Sequence, residues 1–324
     1  MSEPILSINQ LYTSFRVDGE TIPAVEGIDL SLYPGEIVGL VGESGSGKSV
    51  TSLSVMQLLD ETPGEVTGGE VLFQGQDLLK FTDRQKRKVR GNDISMIFQE
   101  PMTSLNPVLK IGKQLVEAIR EHQRISQTDA RKHAIHMLNQ VGIPRSEAIM
   151  NEYPHQLSGG MRQRVMIAMA MSCDPKVLIA DEPTTALDVT IQAQILDVMR
   201  NMRDQHNTSI LFITHDLGVI AEMCDRVAVM YSGRIVEQGS VYEIFENPKH
   251  PYTKGLLGSI PKLGAKEDRL DSIQGQVPTV EDRPKGCKFA NRCPFVMDHC
   301  WEEEPPLFDG KNRCWLHERE EATE

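Results

Sequence analysis

The sequence predicts an α/β fold with a covered sheet, a helical insertion and a small cysteine-rich C-terminal extension. Three observations lead there. Short apolar runs, EIVGLVG (36–42), VLIAD (177–181), SILFIT (209–214) and RVAVMY (226–231), alternate with helical patterns, as strands do when both faces of their sheet are buried. The first of these runs leads into a glycine-rich loop and then a helical pattern. From about residue 259 onward the periodicity fades while Pro, Gly and Cys rise.

In chain order, residues 5 to about 32 read as strands broken by a turn at Asp18-Gly19. GKSVTSLSVMQLL, from Gly47, reads as a helix. Between about residues 102 and 165 the pattern changes: LVEAIREHQ and ARKHAIHMLNQVG place apolar residues at spacings of three and four, as at Ala134, Met137, Leu138 and Val141. That is a helical insertion. We place a boundary after residue 258, giving a main domain over 1–258 and an extension over 259–324. The closing ERE-EATE reads as a solvated acidic tail.

Bulk properties bound the function. A chain of 324 residues exceeds one ordinary core, which fits a main domain with an appendage. With 34 basic against 46 acidic side chains the net charge is -12, which argues against nucleic acid or an anionic membrane surface as partner. No apolar run is long enough to span a bilayer, and MSEPILSINQ lacks the marks of a signal peptide. The expectation is a cytosolic protein whose membrane connection, if it has one, passes through a partner subunit. Of six cysteines, Cys173 and Cys224 stand alone in apolar stretches and read as core packing, while Cys287, Cys293, Cys300 and Cys314 crowd together. In a reducing compartment such a cluster points to metal.

GESGSGKS (42–49) fits the phosphate-binding pattern G-x-x-x-x-G-K-[ST]. Gly42, Gly45 and Gly47, with Glu43, Ser44, Ser46 and Val50, let backbone N–H groups curl round a β-phosphate. Lys48 supplies a point charge to the β/γ oxygens and Ser49 a hydroxyl to Mg²⁺, at a helix N-terminus whose dipole favours anions. A strand before and a helix after make this a nucleotide site.

Further segments follow in order: MIFQEP (96–101), LSGGMRQR (157–164), VLIADEPTTALD (177–188) and ITHD (213–216). Together with the P-loop they resemble the ATP-binding-cassette (ABC) ATPases over roughly residues 5–260. The resemblance implies a P-loop NTPase core of ABC type with an antiparallel β segment and a helical subdomain. It also implies roles. Asp181, ending a buried strand where a carboxylate is costly without a cation, is the Mg²⁺-orienting aspartate. Glu182 polarises the attacking water, His215 is the switch histidine at the γ-phosphate, and Gln99 reaches metal and water. Phe15 falls where the family stacks an aromatic on adenine, with Tyr12 as runner-up. Ser158, Gly159 and Gly160, at a helix start, face the γ-phosphate held by a partner subunit, and Asp188 lies across that interface. ATP and Mg²⁺ are thus the expected ligands and a dimer of such domains the expected hydrolytic unit. Met161 stands where many members carry Gln, which leaves the phosphate-binding serine and glycines intact.

QEPMTSLNP (99–107) and NPKHPYTKGLLGSIP (247–261) resemble the oligopeptide, dipeptide and nickel importer ATPases in particular, of the "D-type". That resemblance implies a second, different ATPase, two transmembrane permease subunits and an extracytoplasmic substrate-binding protein. It implies a peripheral place at the cytoplasmic face of the membrane. Cysteine intervals of five, six and thirteen residues fit neither a zinc knuckle nor the common ferredoxin patterns, so spacing does not choose the metal. The resemblance implies a [4Fe–4S] cluster on Cys287, Cys293, Cys300 and Cys314, with zinc, or free or regulatory thiols, as the alternatives. Three rival functions remain on the sequence: nickel or another small solute as cargo, a non-transport cytosolic ABC ATPase, and a metal-based redox sensor. Intact Lys48, Asp181, Glu182 and His215 speak against the last.

Overall fold

A computed structural model describes residues 3–59, 62–99, 104–184, 187–259, 273–279 and 281–318. The chain forms two compact units: one from residues 1–6, 32–37 and 73–213, the other from 7–31, 38–72 and 214 onward. Parts of QEPMTSLNP and of the TTALD segment, the end of the NPKH stretch and the acidic tail lie outside the described residues.

The strands are β1 (Leu6–Val17), β2 (Glu20–Leu32), β3 (Ile37–Val41), β4 (Gly64–Phe73), β5 (Gln76–Asp77), β6 (Ile94–Ile97), β7 (Val177–Asp181), β8 (Ser209–Thr214), β9 (Arg226–Tyr231) and β10 (Arg234–Ser240). The helices are α1 (Lys48–Met56), α2 (Asp83–Val89), α3 (Ile111–His122), α4 (Gln127–Gln140), α5 (Ser146–Ile149), α6 (Gly159–Met171), α7 (Val189–His206), α8 (Leu217–Met223), α9 (Val241–Glu246), α10 (Pro251–Gly258) and α11 (His299–Glu302).

In the unit that holds the N-terminal strands, β1 and β2 form a hairpin turned by Asp18 and Gly19, both at positive φ (50° and 86°). That is the twist a two-residue hairpin needs. Along β1 the buried residues are Leu6, Ile8, Leu11 and Thr13; the alternation slips by one at Gln10, whose φ is 47°. In a second sheet β9 pairs parallel with β3 and antiparallel with β10. β3 is buried throughout, as an apolar run under two covered faces must be.

The C-terminal region is part of this unit rather than a free appendage. Residues 311–313 lie along β10, with Gln238 N–H donating to Lys311 O (2.7 Å) and Arg313 N–H to Val236 O (2.8 Å). Phe289 joins Tyr231 of β9 and Tyr252 of α10 in a buried cluster, with ring centroids 4.6 to 5.4 Å apart, the edge-on packing that aromatic quadrupoles favour. Glu26 gathers Arg234, Arg283 and Lys288.

In the other unit β6, β7 and β8 are parallel, with Ile94 opposite Val177 and Val177 opposite Ser209. The helical insertion is α3 to α6. Ala134, Met137, Leu138 and Val141 are buried, so the three-and-four spacing marks the inner face as expected. Arg164 of α6 ties it to α4's end, donating to Val141 O (3.1 Å) and Gly142 O (2.8 Å). Among the described residues no helix is long and apolar enough to cross a membrane.

Candidate active site

The expected nucleotide residues divide between the two units. The P-loop, Phe15 and His215 belong to the N-terminal-strand unit; Gln99, Asp181, Glu182 and the 158–160 signature belong to the other.

Gly42–Ser49 joins β3 to α1. Its glycines are there for steric reasons. A Cβ on Gly42 (φ 157°) would stand 2.1 Å from Met230 O, and one on Gly47 (φ 105°) 2.7 Å from Ala24 O. Gly45 (φ 78°) faces open space and needs only its left-handed backbone. The base of the loop is anchored by Gly233 N–H donating to Ser46 O (2.8 Å). Lys48, 6% exposed as a residue, donates through Nζ to Gly42 O (2.8 Å) and Glu43 O (3.0 Å), so its charge is held at the loop's own rim. Ser49 and Val50 are half-buried in the first turn of α1, and Ser44 is exposed. Phe15, half-buried near the end of β1, packs on Gly64, where a Cβ would meet its ring at 2.8 Å. Tyr12 instead covers Gly27 and Gly68. His215 is exposed between β8 and α8, the helix that Asp216 caps.

In the other unit, Asp181 ends β7 at 2% exposure. Glu182 follows at φ 48°, a conformation costly for a residue with a Cβ and recurrent at functional sites. Gln99 Nε2 donates to Glu182 Oε2 at 3.3 Å, bringing together two residues 83 apart in sequence. Sequence reasoning missed a supporting contact: buried Gln163 Nε2 of α6 donates to Pro183 O (2.6 Å), fixing the turn after Glu182 to the signature helix. Ser158 caps α6, accepting from Met161 N–H (3.3 Å). Gly159 and Gly160 have ordinary φ; a Cβ on Gly159 would meet nothing within 4 Å and one on Gly160 only ordinary contacts. Asp188 caps α7 by accepting from Ile191 N–H (2.9 Å).

The four clustered cysteines line one cavity, together with His250, Phe289 and Trp315. Burial and then the neighbouring thiols push Cys287 up to about 12 and Cys314 up to about 11. The expected metal centre is nonetheless not drawn together: among the described residues no three His, Cys, Asp or Glu side chains form a group that could hold a metal ion. Uncharged, desolvated thiols have nothing to pull them onto a common point. His250 is buried, which pushes its pKa down to about 3. Its Nδ1 accepts from Tyr252 N–H (3.0 Å), so the neutral ring carries its proton on Nε2, and that buried atom has no hydrogen-bond partner. Cys224 lies at the end of α8 against Gly39 of β3, and Cys173 beside Ser172; both are half-buried, with pKa raised chiefly by burial.

A family model described as "ABC transporter" matches residues 25–185. The chain is 54% identical over 324 residues to the "Oligopeptide transport ATP-binding protein AppD" of Bacillus subtilis (strain 168), covering 99% of each. This chain belongs to the ABC transporter family. A second model, "Oligopeptide/dipeptide transporter, C-terminal region", matches residues 236–300 of this ABC ATPase. It is also 50% identical to the "Dipeptide transport ATP-binding protein DppD" of the same organism, over 98% of this chain and 96% of that one. Among solved structures, the "Dimeric Structure of MJ0796, a Bacterial ABC Transporter Cassette" shares the fold with a TM-score of 0.66 and 28% identity. It covers 73% of this chain and 98% of that one.

Proposed function

We propose that this ABC ATPase binds Mg²⁺-ATP at Gly42–Ser49 and hydrolyses it to energise import of di- or oligopeptides. The names of its relatives support the cargo. The observation that carries the chemistry is the Gln99–Glu182 hydrogen bond, with Glu182 at positive φ directly after a buried aspartate. Phosphoryl transfer asks a protein for positioning and charge stabilisation. The P-loop amides and Lys48 hold the β- and γ-phosphates. Ser49, Asp181 and Gln99 offer the hard oxygen donors that suit Mg²⁺, which when bound neutralises phosphate charge. Glu182, oriented by Gln99, accepts a hydrogen bond from the attacking water, and His215 donates to the γ-phosphate. Phe15 stacks on the adenine.

Gly159 supports a composite site. Nothing among the described residues requires a glycine there, whereas a phosphate approaching the N-terminus of α6 from a partner subunit would be best met by a bare backbone. Ser158, Gly159 and Gly160 therefore serve the other subunit's ATP, and a different ATPase is the partner. Two permease subunits and an extracytoplasmic binding protein complete the importer, with this chain peripheral at the cytoplasmic face.

In the C-terminal region, the donor set suits an iron–sulfur group: four soft sulfurs round one cavity, and in its wall His250 with an orphan Nε2–H that a sulfur can accept. We read that group as a [4Fe–4S] cluster rather than a single zinc, thiolates being the ligands of such clusters. Such a cluster would supply a cross-link among Cys287, Cys293, Cys300 and Cys314. Iron and sulfide near four each in anaerobically purified protein support it; one zinc without sulfide refutes it.

The experiment for the importer role is complementation. Cells lacking this subunit are to regain peptide uptake with the wild-type chain but not with Glu182→Gln, whose ATPase rate falls about 10²–10⁴-fold while ATP binding persists. Restored nickel uptake without peptide uptake would change the cargo. ATPase activity with neither would leave the non-transport reading.

A further inference from the structure

Glu43 is the loop's one residue with a long acidic side chain, and every polar group it owns is engaged. Its carboxylate takes a bidentate pair from Arg292, with Nη1 to Oε2 at 2.7 Å and Nη2 to Oε1 at 3.0 Å. Its N–H donates to Tyr252 Oη (2.9 Å), and its carbonyl accepts from Lys48 Nζ (3.0 Å). Arg292 in turn is fully committed. Its side chain is 4% exposed, and its remaining donors go to Gln274 O (3.0 Å), Gly275 O (3.2 Å) and Tyr231 Oη (3.4 Å). The guanidinium also lies 5.7 Å from the Tyr231 ring centroid and 5.9 Å from that of Phe289. A planar fork with all five donors satisfied is about as fixed as a long side chain becomes.

We infer that Arg292 and Tyr252, both in the C-terminal part of the chain, are positioning residues for the nucleotide: they hold Glu43 and thereby set ATP affinity. The inference rests on reading Gly42–Ser49 as the ATP site. A phosphate cradle binds well when its amides already point inward, and apparent affinity falls in proportion to the competent fraction. The clamp acts on the residue whose carbonyl also places the Lys48 ammonium. Loosening Glu43 therefore disturbs the amide cradle and the cation together. The donors of Arg292 are all spent on protein atoms, and Tyr252 Oη accepts from the loop's own amide, so the effect expected is on binding rather than on turnover. Arg292 directly precedes Cys293, and Tyr252 is held through its own N–H by His250. The region that carries the cysteines is thus mechanically tied to the phosphate loop.

The test is titration of the full-length chain with a fluorescent ATP analogue and Mg²⁺, beside steady-state ATPase and thermal unfolding. Arg292→Ala should raise the Kd about tenfold, and Arg292→Lys, with one point charge instead of a fork, by less. Tyr252→Phe, which removes only the hydroxyl, should raise it about threefold. In Arg292→Lys and Tyr252→Phe, kcat at saturating ATP should stay within about twofold. Glu43→Ala should reproduce the Arg292→Ala effect, and the double variant should add nothing further. Unchanged Kd in Arg292→Lys, Tyr252→Phe and Glu43→Ala, or full additivity of Arg292→Ala with Glu43→Ala, overturns the clamp. Lys48→Ala keeps the two levels apart. If it still binds the analogue normally, it is the ATP-site reading that falls.

Discussion

Two glycine-bearing loops end in helices here, and they differ in what demands the glycine. In Gly42–Ser49 the chain itself does: a Cβ on Gly42 or Gly47 would run into the carbonyls of Met230 or Ala24. At Gly159 and Gly160 the described residues demand nothing, because φ is ordinary and a Cβ would find room among them. A glycine that the described fold does not need leaves room for something arriving from outside. On the proposed reading, the first loop is a finished cradle and the second is half of a site.

This contrast can be broken by substitution. Gly42→Ala should do most, since backbone has to move to clear a 2.1 Å approach: we expect a stability loss of about 3 kcal/mol and no measurable ATP binding, read by thermal unfolding and nucleotide titration. Gly159→Ala should leave stability within about 0.5 kcal/mol and single-subunit ATP binding intact, yet lower the ATPase rate on the order of 10²-fold. Equal losses of stability from these two substitutions would erase the distinction. Gly45→Ala is the intermediate case: the Cβ has space but φ is 78°, so about 1 kcal/mol of strain and a several-fold weaker ATP affinity are expected from denaturation and titration.

The smallest effect concerns cohesion alone. Lys311 and the cap at Ser240 hold the Glu243 carboxyl down to about 2 from an ordinary 4.5. The contribution of this exposed pair is therefore whole above about pH 4.5 and is lost as pH falls toward 2. Glu243→Gln should lose that small contribution near neutrality and converge with the wild type as pH falls toward 2, so that the stability profile flattens across that interval, as measured by thermal unfolding against pH.

The strands and the glycine loop were legible because local chemistry writes them. VLIAD, SILFIT and RVAVMY are strands with the bounds their apolar runs suggest, buried almost throughout. Ala134, Met137, Leu138 and Val141 face inward at helical spacing. The P-loop glycines are recognisable because sterics leave few alternatives. What could not be read are contacts between residues far apart and individually unremarkable. Arg292 and Glu43 are separated by 249 positions, and no periodicity links them; nor does Gln163 announce that it holds Pro183. Spacing gave the cysteines as a group, but the setting of their thiols depends on how the region from Cys287 to Cys314 folds against β9, β10 and α10. Among the described residues 281–318 the loss of periodicity goes with a region held largely by such tertiary contacts, its short helix α11 apart.

β10 stands at one end of its sheet, where a strand normally presents unpaired N–H and C=O groups to any passing chain. Here Lys311 and Arg313 occupy that row on either side of the Glu237–Asn312 bridge. A fragment cut before residue 273 would uncover it. Such a fragment should self-associate through strand addition, and efforts to express the cassette alone should keep the chain through at least Arg313 or place a proline or lysine in β10 to stand guard.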